Sequence, residues 1–216
     1  MDVKICGITR NEDLKTCEKY DLRFIGFINI KRSKRFLDIE TVKRLVKKME
    51  NPENAVLILE PQNASEVIKK AGKSGIKNVQ IHSLSADEIA EIKGINIIRA
   101  IGIPERISKS KVEEIEEFAE ICEYILFDSV VSGKSGGTGK QISLETAIKA
   151  AEIAKIRNPD IKLVLAGGMN KERITKEGKM IKKIFNYIDV NSGVEDSPGI
   201  KNELKISEFM KTYGMI

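Results

Sequence analysis

Short apolar segments alternate with longer amphipathic segments along the whole chain, and this alternation constrains the fold more than any other feature. Most of the apolar segments are rich in Ile and Val and do not alternate strictly with polar residues, which is typical of strands covered on both faces of a parallel sheet. The predicted strands are Val3–Cys6, Phe24–Ile28, Ala55–Leu59, Asn78–His82, Asn96–Ile101, Tyr124–Phe127, Lys162–Ala166 and Tyr187–Asn191.

The intervening segments have helical periodicity and recognisable start signals. Ser65, Ser85 and Ser143 each precede an acidic residue, and Asn170 is predicted to cap the helix after the seventh strand. The predicted helices include Thr41–Met49, Ser65–Lys73, Ser85–Lys93, Ser108–Ile121 and Ser143–Ile156. Eight strand–helix units without an internal linker predict an α/β protein, a single-domain (β/α)8 TIM barrel over residues 1–216. The pattern alone leaves an open doubly wound sheet as an alternative.

Composition narrows the function classes. The chain has 41% hydrophobic and 32% charged residues and a net charge of +5, with Lys and Glu interleaved. Interleaved charges indicate solvated helix faces, and with 5% aromatic residues they argue against nucleic-acid binding. No apolar run approaches the length of a membrane span, and no signal peptide is evident, so a cytoplasmic protein is expected.

Two residues at predicted strand ends are candidates for acid–base chemistry. Active sites of such barrels lie at the carboxyl ends of the strands. Cys6 ends the first strand and Asp128 follows the sixth. Taken singly, Cys6 is as compatible with a small buried hydrophobe, and Asp128 with a turn cap. The other cysteines, Cys17 and Cys122, are expected to be packing residues.

Glycine-rich loops after the last three strands indicate a phosphate site. The loop after the sixth strand contains Gly137, Thr138 and Gly139, and the next two strands end in Gly167-Gly168 and Ser192-Gly193. Glycines let backbone N–H groups approach an anion closely, and loops seven and eight hold phosphate in many barrels.

Arg35 and His82 are further candidates at the predicted mouth of the barrel. Arg35 follows the second strand and suits a carboxylate, although a solvated basic loop is the alternative. His82 ends the fourth strand and is either a general base or a structural hydrogen-bonded histidine. One histidine and three dispersed cysteines indicate no metal site.

Several segments together resemble the phosphoribosylanthranilate isomerase family of tryptophan biosynthesis. They are KICGITR, GFINIKRSKRF, NVQIHS, FDSVVSGKSGGTGK, LAGGMN and DVNSGVEDSPGIK, in order along nearly the whole chain. The resemblance implies a TIM barrel and an intramolecular oxidoreductase, an aldose–ketose isomerase. That family converts N-(5′-phosphoribosyl)anthranilate into 1-(2-carboxyphenylamino)-1-deoxyribulose 5-phosphate by an Amadori rearrangement.

The resemblance also implies roles for individual residues. Cys6 matches the general base, Asp128 the general acid and Arg35 the residue that meets the anthranilate carboxylate. The glycine loops match the phosphate site. His82 is a candidate for substrate binding because of its place at the predicted mouth, not because of the resemblance. No cofactor is expected, the implied partner is a small phosphoribosyl substrate, and a homodimer is compatible with the sequence. Such roles require a raised pKa for Asp128 and a lowered one for Cys6.

Two departures and two alternatives accompany this hypothesis. Ser83 stands where the family commonly has glycine, and the third strand leads into Glu60-Pro61 instead of an apolar continuation. The alternatives are a related histidine-pathway phosphoribosyl isomerase, which uses an aspartate where this chain has Cys6, and a non-catalytic phosphate-ligand-binding barrel.

Overall fold

Eight parallel strands form a closed barrel in the computed structural model, which describes residues 1–20, 22–131, 134–135 and 141–215. Each strand pairs with the next along the chain, and the last pairs with the first, which closes the sheet. The strands are β1 Asp2–Ile5, β2 Phe24–Ile28, β3 Ala55–Leu59, β4 Asn78–Ile81, β5 Asn96–Ile103, β6 Tyr124–Val131, β7 Lys162–Leu165 and β8 Tyr187–Val190. The barrel prediction is confirmed, and the open sheet is ruled out.

Helices follow the strands and cover the outside of the barrel. They are α1 Asn11–Cys17, α2 Ile39–Val46, α3 Ala64–Ser74, α4 Ala86–Ala90, α5 Lys109–Ile121, α6 Leu144–Arg157, α7 Lys171–Ile184 and α8 Glu203–Gly214. Side-chain caps begin most of them, as expected for Ser85, Ser143 and Asn170. Two short antiparallel strands, Glu195–Ser197 and Ile200–Lys201, form a hairpin after β8.

The structure corrects several predicted boundaries. Asn63, not Ser65, caps α3, because its side chain accepts a hydrogen bond from Glu66 N at 3.0 Å. Helix α4 is shorter than the predicted Ser85–Lys93. Strand β6 continues past Phe127, since Asp128 pairs with Gly102 of β5. Asp128 therefore lies within a strand of the barrel rather than in the turn after it, which argues against its being a turn cap.

The barrel encloses a small interior core that is separate from the larger core beneath the helices. Near its amino-terminal end the rings of Phe24, Tyr124 and Tyr187 pack together with centroids 5.5 to 5.9 Å apart. These aromatic rings fill the barrel below the layer that holds Cys6. The space above them, at the carboxyl ends of the strands, is left open.

Cys17 and Cys122 are buried in the outer core, as the sequence predicted for packing residues. Among the described residues, no helix is long and apolar enough to span a membrane.

Candidate active site

A cavity of about 360 Å³ opens at the carboxyl ends of the strands. The predicted site residues that line it are Cys6, Arg35, His82, Asp128, Gly167, Gly168 and Ser192. Gly193 is instead packed against the loop after β7, where an added Cβ would lie 2.1 Å from the Met169 carbonyl oxygen. The predicted phosphate residues Gly137, Thr138 and Gly139 lie outside the described residues.

Cys6 faces the barrel interior directly after β1. Side chains alternate along a strand, so Cys6 shares its face with Lys4. Gly26 of β2 makes room for it, because a Cβ there would lie 2.9 Å from Cys6 Sγ. Burial raises the pKa of the Cys6 thiol, and the charge of Lys4 offsets this only in part. The free protein therefore holds Cys6 as a thiol, contrary to the lowered pKa that the sequence analysis anticipated.

Asp128 is buried beside the loop after β7. Its Oδ1 accepts a hydrogen bond from Ser129 N at 2.7 Å. Gly167, with a φ of +77°, approaches so closely that a Cβ would lie 2.9 Å from Asp128 Oδ1. Burial raises the pKa of Asp128 to about 6, and the nearby Asp189 carboxylate adds to the shift. The pKa of Asp128 is therefore raised, as the role of general acid requires.

A buried ion pair that the sequence pattern did not predict lies close to these two residues. Lys4 Nζ lies 2.6 Å from Asp189 Oδ2, and the Lys4 side chain is fully buried. Asp189 lines the cavity, and its Oδ1 has no hydrogen-bond partner among the described residues. Burial lowers the pKa of Lys4, but Asp189 and Cys6 outweigh this and leave the pKa above its usual value. Lys4 is therefore a permanent cation inside the barrel.

Replacing Lys4 with Met is expected to destabilise the fold by about 3–5 kcal/mol, because it leaves Asp189 as a buried, unpaired carboxylate. Urea unfolding at pH 7 measures the change. The matched double variant Lys4→Met/Asp189→Leu removes both charges and should recover most of the loss. A single variant as stable as the wild type would contradict this account of the pair.

Arg35 is buried and paired, so the alternative of a solvated basic loop is wrong. It is 8% exposed, and its guanidinium makes a bidentate contact with Glu195 of the hairpin after β8. Glu195 is a second residue that sequence reasoning missed. Its position in the SGVE segment gave no separate signal of a partner 160 residues away.

His82 lines the cavity as a neutral imidazole. Burial and the charges of Lys4 and Arg99 lower its pKa to about 4. Its Nε2 lies 2.8 Å from the amide nitrogen of Gln80, whose buried Oε1 has no partner among the described residues. His82 is thus both a cavity residue and a hydrogen-bonded one, and at neutral pH it adds no charge.

The two departures from the family pattern contact one another at the rim of the barrel. Ser83 Oγ donates a hydrogen bond to the Pro61 carbonyl oxygen at 2.6 Å. Glu60, next to Pro61, pairs with Arg32 of the loop after β2 at 2.8 Å. The hydroxyl and the carboxylate therefore connect the loops after β2, β3 and β4.

Backbone N–H groups are available where the glycines meet the cavity. Gly168 N and Ser192 N have no hydrogen-bond acceptor among the described residues, and both residues line the cavity. Behind them, Arg173 holds the loop after β7 by donating to the Gly167 carbonyl oxygen at 2.8 Å. Unpaired N–H groups on adjacent loops form a suitable anion site.

Comparison with known proteins agrees with this geometry. The family model for N-(5′-phosphoribosyl)anthranilate isomerase matches residues 3–212. The chain belongs to this family. Isomerases with that name from Methanothermobacter marburgensis and Aquifex aeolicus are 30% and 34% identical to it. Each alignment covers 97% of this chain, with 93% of the first relative and 96% of the second.

Solved structures of the family have the same fold. The phosphoribosyl anthranilate isomerase of Thermococcus kodakaraensis is 26% identical, with a TM-score of 0.75 over 98% of this chain and 97% of its own. The Thermus thermophilus enzyme reaches a TM-score of 0.81 at 23% identity, covering 100% of this chain and 99% of its own. Another phosphoribosyl anthranilate isomerase has been solved with reduced 1-(o-carboxyphenylamino)-1-deoxyribulose 5-phosphate.

Proposed function

We propose that this chain converts N-(5′-phosphoribosyl)anthranilate into 1-(2-carboxyphenylamino)-1-deoxyribulose 5-phosphate, as an isomerase of tryptophan biosynthesis. The observation that carries the proposal is that Cys6 and Asp128 line the same cavity, in a barrel that belongs to this isomerase family. An Amadori rearrangement needs one proton donor and one proton acceptor, and these side chains supply both.

Asp128 is the general acid of the proposed reaction. Its proton goes to the furanose ring oxygen, the C1′–O bond breaks, and the anthranilate nitrogen lone pair forms the C1′=N iminium. A carboxyl group with a pKa of about 6 keeps an appreciable protonated fraction near neutral pH. Binding a phosphate dianion and a carboxylate in the same cavity raises that pKa further, because like charges oppose ionisation.

Cys6 is the general base. The iminium acidifies the C2′ proton, Cys6 takes that proton, and the electrons form the C1′=C2′ enolamine, which then tautomerises to the ketone. Burial keeps Cys6 protonated in the free protein. The reactive form is therefore the minor one in which Asp128 holds the proton and Cys6 is a thiolate. It carries the same single proton as the form that predominates in the free protein near pH 7, so no additional proton has to leave the site. The cationic iminium formed by ring opening stabilises this thiolate electrostatically.

The remaining cavity residues hold the two ends of the substrate. Gly167, Gly168 and Ser192 lie where backbone N–H groups meet the phosphate, on the side of Asp128. Arg35 and His82 also line the cavity and are assigned to the anthranilate end of the substrate, where Arg35 binds the carboxylate. Gly193 supports the phosphate loops by allowing their close packing. A cytoplasmic location and a homodimer remain predictions of the sequence.

The experiment is turnover of freshly prepared N-(5′-phosphoribosyl)anthranilate, followed as loss of substrate fluorescence by the purified protein in the presence of EDTA. Loss of fluorescence with formation of the ketose product supports the proposal. Binding without turnover would identify a non-catalytic barrel and overturn it. Turnover of the histidine-pathway substrate alone would assign the chain to that reaction instead.

A further inference from the structure

Three buried charged side chains join the loop after β2 to the hairpin after β8. They are Arg35, Glu195 and Lys201, and each is less than a tenth exposed. The described part of the cavity wall includes Arg35 but neither Glu195 nor Lys201. Glu195 and Lys201 therefore lie behind the cavity wall and influence a ligand through Arg35.

Glu195 holds one edge of the Arg35 guanidinium and leaves the other edge open. Arg35 Nε donates to Oε1 at 2.8 Å and to Oε2 at 3.1 Å, and Nη2 donates to Oε2 at 2.6 Å. A guanidinium carries five N–H donors in a planar fork. Among the described residues, Nη1 has no partner, so the edge formed by Nη1 and Nη2 can receive a second carboxylate.

Lys201 fixes Glu195 and is itself fully occupied. Its Nζ lies 2.9 Å from Glu195 Oε1, 3.0 Å from the Asn191 carbonyl oxygen and 2.9 Å from Asn191 Oδ1. These acceptors match the three donors of an ammonium group, so Lys201 has none left for a ligand. Gly199 N also donates to Glu195 Oε1, at 3.2 Å.

The charges of this cluster favour an anionic ligand. Two cations and one anion leave a single positive charge in a buried place, and buried charge is costly unless it is paired. Arg35 lines the cavity, so its open guanidinium edge can offer two parallel hydrogen bonds to a planar carboxylate bound there. The cluster thus matches one carboxylate, held in a fixed plane.

We propose that Glu195, supported by Lys201, is a positioning residue that orients Arg35 toward the substrate's aromatic carboxylate and so sets specificity for that half of the substrate. The inference rests on the proposed function, since it concerns the same substrate. Glu195 does not line the cavity and is not assigned a contact with the reacting atoms. Its removal should therefore affect binding of the carboxylate and leave proton transfer intact.

Two ligands separate this role from a merely structural one. N-(5′-phosphoribosyl)anthranilate carries the carboxylate, and N-(5′-phosphoribosyl)aniline lacks it. For Glu195→Gln, KM for the anthranilate compound should rise roughly 10- to 100-fold, as expected when a charged hydrogen-bond arrangement is lost. The kcat should stay within about threefold, since only uniform binding is removed. Affinity for the aniline compound, measured as a competitive inhibitor, should not change.

A double-mutant cycle tests whether Glu195 acts through Arg35. In an Arg35→Met background, Glu195→Gln should have no further effect on KM, because the group it orients is gone. Glu203→Gln is the matched control, an exposed acid of α8 paired with Lys19, and should leave both ligands unaffected. Additive effects in the cycle, or equal losses for both ligands, would overturn the positioning role.

A second variant tests the same role in case Glu195→Gln does not fold. Glu195→Asp keeps the charge and shortens the side chain by one carbon, so it misplaces Arg35 while limiting the loss of stability. A selective rise in KM for the anthranilate compound supports the proposal, and an unselective one overturns it. A wild-type protein that fails to turn over the anthranilate compound would instead overturn the proposed function itself.

Discussion

Asp128→Asn is expected to lower kcat by about 10²- to 10⁴-fold, the usual contribution of a positioned general acid. The amide cannot protonate the ring oxygen, but its Oδ1 can still accept the hydrogen bond from Ser129 N. Steady-state kinetics on N-(5′-phosphoribosyl)anthranilate measures the loss. Undiminished kcat in this variant would exclude Asp128 as the acid.

The pH profile separates loss of the acid from general damage. With Asp128 at a pKa of about 6 and Cys6 above its usual range, kcat/KM of the wild type should be flat across neutral pH. Between the two pKa values, a rise in pH increases the fraction of Cys6 present as thiolate and decreases the fraction of Asp128 that is protonated by the same factor, so their product stays constant. In Asp128→Asn only the thiolate matters, so the residual activity should rise with pH. A profile as flat as the wild type's would contradict this assignment.

Stability should change in the opposite direction from activity. The folded protein raises the pKa of Asp128 from 3.8 to about 6, so this group's contribution to stability is complete below pH 4 and is lost as the pH rises through 6. Asparagine has no charge to bury. At pH 7 the variant should therefore resist urea better than the wild type, by about 3 kcal/mol on the scale of about 1.4 kcal/mol per pKa unit.

The single variant Cys6→Ser is expected to lower kcat by about 10²- to 10⁴-fold relative to the wild type. The reason is that a neutral serine hydroxyl is a far weaker base than a thiolate. The change is nearly isosteric, so the close approach of Gly26 is preserved. Residual activity should now fall as the pH rises above about 6, since only the protonated fraction of Asp128 matters. This slope is opposite to that of Asp128→Asn.

Cys122→Ala is the matched control for the thiol. Cys122 is buried at the end of α5, in the outer core and away from the cavity, so its replacement should leave kcat and the pH profile unchanged. Iodoacetamide should label Cys6 slowly at pH 7 and faster as the pH rises, because burial keeps it a thiol. Rapid labelling at pH 6 would show that the charge of Lys4 prevails over burial.

The sequence predicts most of this site because the carboxyl ends of the parallel strands all lie at the same end of the barrel. Once eight strands are recognised, Cys6 and Asp128 must lie at the same end of one barrel. What the sequence does not predict is the sign of the pKa shift at Cys6. That sign depends on whether burial or the charge of Lys4 is larger, and only the folded geometry decides between them.

The buried ion pairs could not be predicted from the sequence for a different reason. Alternation places Lys4 on the same face as Cys6, so a polar layer in the barrel was within reach of pattern reasoning. Its partner Asp189 lies 185 residues away, and no local signal couples the two. Glu195 and Arg35 likewise lie in two loops that are far apart in sequence, so no local pattern predicts their contact. Nor could spacing show that Gly193 serves loop packing instead of lining the cavity.

The layering of the barrel interior has an evolutionary consequence. The rings of Phe24, Tyr124 and Tyr187 fill one end, while the groups assigned to chemistry occupy the other. Mutations at the open end can therefore be sampled without disturbing the packing that closes the opposite end. A lineage built on such a barrel can exchange one proton-transfer residue for another and explore new substrates while its architecture persists, even after most of its residues have diverged.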